Sequence, residues 1–263
     1  MTVKILVFAD LHYFGGSEKL FNADKKLVEY AEPMLEEFIR IADDDDVSLV
    51  VNLGDIIQDT NDKELDIRCL EYIFGKLKAF KCPVYSVLGN HDLKMMDSVS
   101  EVEKIMGYES SVYSVDHEGF HLVFLTTGVR PELGLLRGGS YKTQYLSGDS
   151  ILWLKNDLEN NRLPCLIFTH FPLAEDESVQ DECMFMKNRD EVKAIINGDK
   201  NVKAVFSGHQ HRPKEICENG LDYYIAGSPT TSPEADGIPL GVYMIIETEG
   251  ENIMVTKKNL EMI

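Results

Sequence analysis

Asp10, His12, Asp55, Asn90, His170, His209 and His211 carry the side chains of this sequence best suited to hold a divalent cation. They fall in five short motifs: Asp10-Leu11-His12, Gly54-Asp55, Gly89-Asn90-His91-Asp92, His170-Phe171-Pro172 and Gly208-His209-Gln210-His211. Imidazole nitrogens with carboxylate and amide oxygens suit borderline metals, and the donors suffice for two ions side by side. Two such ions activate water and polarise phosphoryl oxygens, so the chemistry expected is hydrolysis of a phosphate ester. Asp10-Leu11-His12 and Gly54-Asp55 alone read as ordinary surface turns, while Gly89-Asn90-His91-Asp92, three polar groups behind a glycine, and Gly208-His209-Gln210-His211 say more. The conjunction carries the inference, because five of the seven histidines lie inside these motifs.

The motifs need elements that bring them together. Each follows an apolar run that reads as a buried strand: residues 3–9, 49–53, 84–88, 165–169 and 204–207. Leu27, Ala31, Leu35, Phe38 and Ala42 repeat at helical spacing, with Pro33 near the front. Asn61 is expected to cap a second helix, with Glu64 three residues on and Leu65, Cys69, Ile73 and Leu77 on its buried face. Residues 97–106 read as a short helix, and Ile151, Leu154 and Leu158 mark another that carries the sole tryptophan, Trp153. Residues 111–115 and 120–126 flank Asp-His-Glu-Gly and predict a hairpin. A strand at 223–226 and an antiparallel pair at 242–247 and 253–258 complete the chain. Strands alternate with helices early and β-pairs dominate late, which predicts mixed sheets stacked face to face with helices outside. No repeat or linker divides the sequence, so residues 1–263 are read as one domain. Residues 129–144 and 173–188 lack periodicity and are expected to overhang the site.

Composition sets limits. A net charge of −19 repels nucleic acids and anionic membranes, although bound dications would reverse the potential locally. No stretch approaches the roughly 20 apolar residues that cross a bilayer. The first residues lack the pattern of a signal peptide. The five cysteines are scattered, with no Cys-x-x-Cys, and suggest reduced thiols in a cytoplasm. The acidic run 43–46 is read as a solvated loop, since four adjacent acids cannot all face one ion.

The five motifs resemble those of the calcineurin-like metallophosphoesterases, from Asp10 to His211 and so over most of the chain. The helix around Trp153 followed by Phe168-Thr169-His170-Phe171-Pro172 is similar to the branch containing bacterial cyclic-nucleotide phosphodiesterases. The resemblance implies an α/β fold, a four-layer α/β/β/α sandwich of two mixed sheets. It implies that Asp10, His12 and His211 hold one ion, that Asn90, His170 and His209 hold the other, and that Asp55 bridges them. The cofactors would be two divalent ions drawn from Mn, Fe, Zn, Co or Ni, with no choice among them. A metal-bridging hydroxide would attack phosphorus in line, and His91 would protonate the leaving group.

Two positions depart from the family's pattern. Where many relatives carry an aspartate that orients the acid histidine, this sequence has Gln58, with Asp59 one residue later. Either Asp59 serves through a shifted loop or Gln58 hydrogen-bonds instead. Gln58 also argues against the purple acid phosphatases, which place a tyrosine near this point. The second departure is Phe171, where some relatives carry a histidine. Arg130, Arg137 and Tyr141 are read first as surface residues and second as a phosphate clamp. His117 and His121 are read as surface residues of the hairpin, and residues 183–186 as loop packing.

The expected function is a dinuclear phosphodiesterase acting on a small nucleotide-type substrate. The alternatives are a phosphomonoesterase or a pyrophosphatase acting on a nucleoside diphosphate-linked substrate. A scaffold that keeps the fold without catalysis is disfavoured by the full ligand set, and a nuclease by the acidic surface. The oligomeric state is open, a homodimer included.

Overall fold

The computed structural model describes residues 3–16, 25–128 and 144–260. Arg130, Arg137 and Tyr141, and nearly all of the loop 129–144, lie outside the described residues.

Two mixed sheets face each other. The first has the order β11-β10-β1-β2-β3 and is built from β1 (Lys4–Phe8), β2 (Leu49–Asn52), β3 (Val84–Ser86), β10 (Val242–Glu249) and β11 (Asn252–Asn259). Its β1, β2 and β3 are parallel, while β10 and β11 run antiparallel. The second has the order β4-β5-β6-β7-β9-β8. Its strands are β4 (Val112–His117), β5 (Phe120–Leu125), β6 (Cys165–Thr169), β7 (Val202–Ser207), β8 (Lys214–Glu218) and β9 (Leu221–Ile225). Here β5, β6, β7 and β9 are parallel and the two edge strands are antiparallel.

Burial on both faces explains the unbroken apolar runs of the central strands. In β1, Leu6 and Phe8 face α1 (Ala31–Asp44) and α2 (Lys63–Leu77), while Ile5 and Val7 face the other sheet. The seam between the sheets is filled by a ladder of Phe124, Phe168, Phe206 and Tyr224, with ring centroids 5.1, 5.3 and 5.2 Å apart. On the far side of the second sheet, Leu154 and Leu158 of α5 (Gly148–Asn160) and Val192 and Ile196 of α6 (Arg189–Ile196) pack on Val123, Leu125 and Ile167. The short helices α3 (Asn90–Leu93) and α4 (Val99–Met106) complete the first helical layer. This is the four-layer α/β/β/α sandwich expected from the sequence.

Several local expectations need correction. The cap of α2 is Asp62, whose Oδ1 accepts from the amides of Glu64 and Leu65, and not Asn61. The helix expected over 97–106 begins at Val99. The hairpin turn is the pair Glu118-Gly119, both at positive φ, so β4 runs two residues further than predicted. Strand β8 and helix α6 were not anticipated. Asp43 and Asp44 end α1 and pair with Lys81 and Arg40, so only the end of the acidic run is loop.

Candidate metal centre

The C-terminal ends of the central strands converge at one edge of the sandwich. The segments after β1 and β2 zip together: Asp10 N–H donates to Gly54 O (2.9 Å), His12 N–H to Asp55 O (3.1 Å) and Tyr13 N–H to Ile56 O (2.8 Å). The loop after β3 presses against them. A Cβ on Gly54 would lie 2.5 Å from the Gly89 nitrogen, and one on Gly89 would meet the Asp55 carboxylate. Asp92, which the sequence reading gave no role, ties the two loops by accepting from Ile57 N–H (3.2 Å) and Gly89 N–H (2.9 Å). Burial and the neighbouring Asp55 push its carboxyl up to about 7. The second sheet joins through His209 N–H, which donates to Asp10 Oδ2 (2.9 Å), and Gly208 N–H, which donates to His170 O (3.0 Å).

Asp10, His12, Asp55, His209 and His211 all have left-handed backbones, with φ between 50° and 68°. That conformation is uncommon for residues with a Cβ, and strained backbone of this kind concentrates at functional sites. Here it turns five side chains inward from the strand ends.

Two donor groups result. Asp10, His12, Asp55 and His211 form one, and Asp55, His170 and His209 the other; within each, one ligand atom per residue lies within 4.8 Å of all the rest. Asn90 adjoins the second group, its Oδ1 3.2 Å from His170 Nε2. All seven sequence-predicted ligands are therefore gathered, and Asp55 belongs to both groups.

Hydrogen bonds select the ring nitrogens that remain available, a device typical of metal-binding histidines. His170 Nδ1 is 2.8 Å from Leu53 O, leaving Nε2 facing Asp55 Oδ2 at 3.4 Å. His209 Nε2 is 3.2 Å from Cys183 O, leaving Nδ1 buried and without a partner. His211 Nδ1 meets Thr231 Oγ1 at 3.1 Å, leaving Nε2 3.0 Å from His12 Nε2 and 3.5 Å from Asp10 Oδ1. Asp10 Oδ1 and Asp55 Oδ2 are likewise buried and accept no hydrogen bond. Buried polar atoms ordinarily find partners, so orphaned lone pairs aimed at one place fit a cation. The donors, imidazole with carboxylate and amide oxygens, suit a borderline divalent metal.

The electrostatics agree. Burial, reinforced by Lys26 and His211, holds His12 well below the ordinary histidine value, and burial with His170 pushes His209 down to about 3. Both rings are thus neutral, the form that ligates. Burial opposes a proton on His170 also, yet Asp55 overrides it and raises that histidine. The pocket around Asp55 therefore favours positive charge.

His91 stands at the rim. Its Nδ1 contacts Asp59 Oδ1, and its Nε2 is 3.8 Å from Asp55 Oδ2. Lys94 Nζ holds the other oxygen of Asp59 at 2.5 Å. Gln58 Nε2 lies 3.3 Å from the same His91 nitrogen, while its Oε1 accepts from Lys26 Nζ at 2.9 Å. The loop thus brings both candidate partners to His91, with the carboxylate in the closer contact.

Elsewhere, the segment 183–186 packs as expected, with Phe185 and Met186 buried. His121 does not lie on the surface: it is buried between Asp116 and Asp157 at 2.6 and 2.8 Å. Among the described residues, no helix is long and apolar enough to cross a membrane.

Known proteins place the chain in a class. The family model for calcineurin-like phosphoesterases matches residues 3–213, and the chain belongs to that family, hydrolases of phosphoester bonds. A protein of Xenorhabdus bovienii named a probable cyclic nucleotide phosphodiesterase is 24% identical over 224 residues, covering 83% of each chain. One of Coxiella burnetii with the same description is 26% identical over 258 residues, 97% of this chain and 90% of that one. Among solved structures, a dimetal phosphatase from Danio rerio superposes with a TM-score of 0.72 at 15% identity, covering 96% and 98% of the two chains. GAP50, described as the anchor in the inner membrane complex of Plasmodium, superposes at 0.59 with 11% identity over 97% and 84%. These structural likenesses speak to the fold alone.

Proposed function

We propose that the protein is a dinuclear metal-dependent phosphodiesterase acting on a small nucleotide-type phosphodiester. The observation that carries this reading is Asp55, one buried carboxylate common to two converging donor groups whose remaining lone pairs have no other use. Asp10, His12 and His211 would hold one divalent cation with Asp55, and Asn90, His170 and His209 the other. Bound there, the pair supplies water activation near neutral pH and charge stabilisation on phosphoryl oxygens.

The chain's own groups do the rest. His91 holds a proton on Nε2 for the leaving oxygen, on the side of the site facing Asp55. Asp59 fixes the ring through Nδ1, and Lys94 fixes Asp59. Leu53 O, Cys183 O and the Thr231 hydroxyl keep the ligand rings turned inward. The names of the bacterial relatives support a cyclic nucleotide as the substrate to try first.

The test compares bis-p-nitrophenyl phosphate with p-nitrophenyl phosphate after metal is stripped and Mn²⁺ restored, with Asp55→Asn as control. A diester preference that vanishes in the control supports the reading and leads to cyclic nucleotides. A monoester preference replaces it with a phosphatase. Two bound metals with neither activity would point to a scaffold or to narrow specificity.

A further inference from the structure

Lys26 belongs to none of the five motifs, yet its amine lies inside the site they form. Its Nζ is 2.9 Å from Gln58 Oε1 and 3.4 Å from His91 Nε2. Burial lowers its amine from the ordinary lysine value, and the charges of Asp55, Asp10 and Asp59 counter that in part. Among the described residues none of them approaches within ion-pair distance. An ammonium has three donors, and among the described residues the two neighbours named take at most two of them.

The position is built rather than accidental. Lys26 forms a β-bridge with Thr231, Leu27 N–H donates to Thr230 O at 3.0 Å, and Ser232 N–H donates to Lys25 O at 2.8 Å. The strip 25–27 is thereby pinned to the segment that also turns His211 through Thr231. A lysine held beside a histidine, among carboxylates it does not pair with, has a use if an anion completes the cluster. Phosphate fits that description.

We propose that Lys26 is a phosphate-binding residue, its ammonium donating to a phosphoryl oxygen of the bound substrate next to His91 Nε2. This rests on the phosphoesterase reading of the same site. It adds a cation that belongs to the chain itself and is independent of the metals. Gln58 then has a task of its own: its Oε1 aims Lys26, while its Nε2 faces His91.

The test is inorganic phosphate titrated calorimetrically into the Mn²⁺-loaded full chain, with metal content measured on each sample. Wild type is compared with Lys26→Met, Lys26→Gln and Lys26→Arg, and with Lys25→Met, a change at the exposed neighbour. The expected result is binding weakened roughly 10–100-fold in the Met and Gln variants at unchanged metal content, the range of one charge-assisted hydrogen bond. Arginine should restore most of it, and Lys25→Met should match wild type. Binding within two-fold of wild type in both neutral variants, or an equal loss in Lys25→Met, overturns the proposal. So does a metal-loaded wild type that does not bind phosphate. A wild type that binds phosphate through Lys26 but hydrolyses no phosphoester sinks the phosphodiesterase reading and leaves the Lys26 assignment standing.

Discussion

Two histidine–aspartate clusters lie at opposite ends of the second sheet. One gathers at the C-terminal ends of β6 and β7, the other around His121, whose Cα pairs with Cys165 at the start of β6. Their residue types are the same, but their bonding differs. His121 has both ring nitrogens taken, by Asp116 and Asp157, and Ser114 Oγ donates to the second oxygen of Asp157 at 2.8 Å. At the other end Asp10 Oδ1, Asp55 Oδ2 and His209 Nδ1 are buried without a hydrogen bond. Asp10, His12, Asp55, His209 and His211 at that end also have left-handed backbones, whereas Asp116, His121 and Asp157 do not. A cluster that satisfies itself holds elements together. A cluster that leaves buried lone pairs open on strained backbone is arranged for something else to fill.

Asp55→Asn should break this contrast most severely. Removing the shared carboxylate charge should cost at least about 10³-fold in phosphodiester hydrolysis and abolish stoichiometric binding of the second metal. The same change breaks the buried pair of Asp55 Oδ2 with His170 Nε2 at 3.4 Å, while an amide oxygen can still accept from His91 N–H. Hydrolysis and second-metal binding that survive the change would mean that Asp55 is structural, like Asp157.

His91→Ala comes next, with an expected loss of about 10²–10⁴-fold at full metal occupancy. The defect should be greater for alkyl esters than for p-nitrophenyl esters, whose leaving group needs little protonation. An equal loss for both would argue against a proton held at Nε2.

Chelation reads the same contrast thermally. Metals present at 100 times their dissociation constant stabilise by about 2.7 kcal/mol each. At about 2–4 °C per kcal/mol, stripping one ion should lower the melting temperature by roughly 5–10 °C. An unchanged melting curve would mean that the open lone pairs bind nothing.

The sequence made one half of this contrast legible and hid the other. The strands β1, β2 and β6 are buried on both faces and so read as apolar runs, and ligand types follow them directly. Strand β8, Lys-Glu-Ile-Cys-Glu at a sheet edge, has no such run. Its signal was the Asn219-Gly220 pair, both residues at positive φ in a two-residue hairpin turn. The groups that orient the ligand histidines are mostly backbone carbonyls, Leu53 O and Cys183 O, which leave no trace in residue identity. Lys26 was missed because it reaches the site from a connecting segment rather than from a strand end. His121 was misjudged because a histidine beside a turn reads as exposed, and its partner Asp157 on α5 lies 36 residues away in the sequence.

His121 gives the smallest expected effect and the cleanest control. Burial alone would lower its pKa, but the hydrogen bonds it donates to Asp157 and Asp116 outweigh burial and raise it above 6.5. A raised folded value means that protonated His121 stabilises the fold fully below the unfolded value near 6.5. That contribution is lost as pH climbs through the folded value. Asp116 is about two-thirds exposed, with a side-chain exposure of 67%, so solvent screens its share. Asp157, at 16%, supplies most of the attraction. His121→Gln should therefore destabilise by about 1–2 kcal/mol at pH 5.5, read from urea midpoints, and by less at pH 9. Phosphodiester hydrolysis should be unchanged, because nothing in this cluster points toward Asp55. A gap that widened with pH would reverse the sign of the pairing. A loss of hydrolysis at full folding would join the two clusters that the bonding pattern separates.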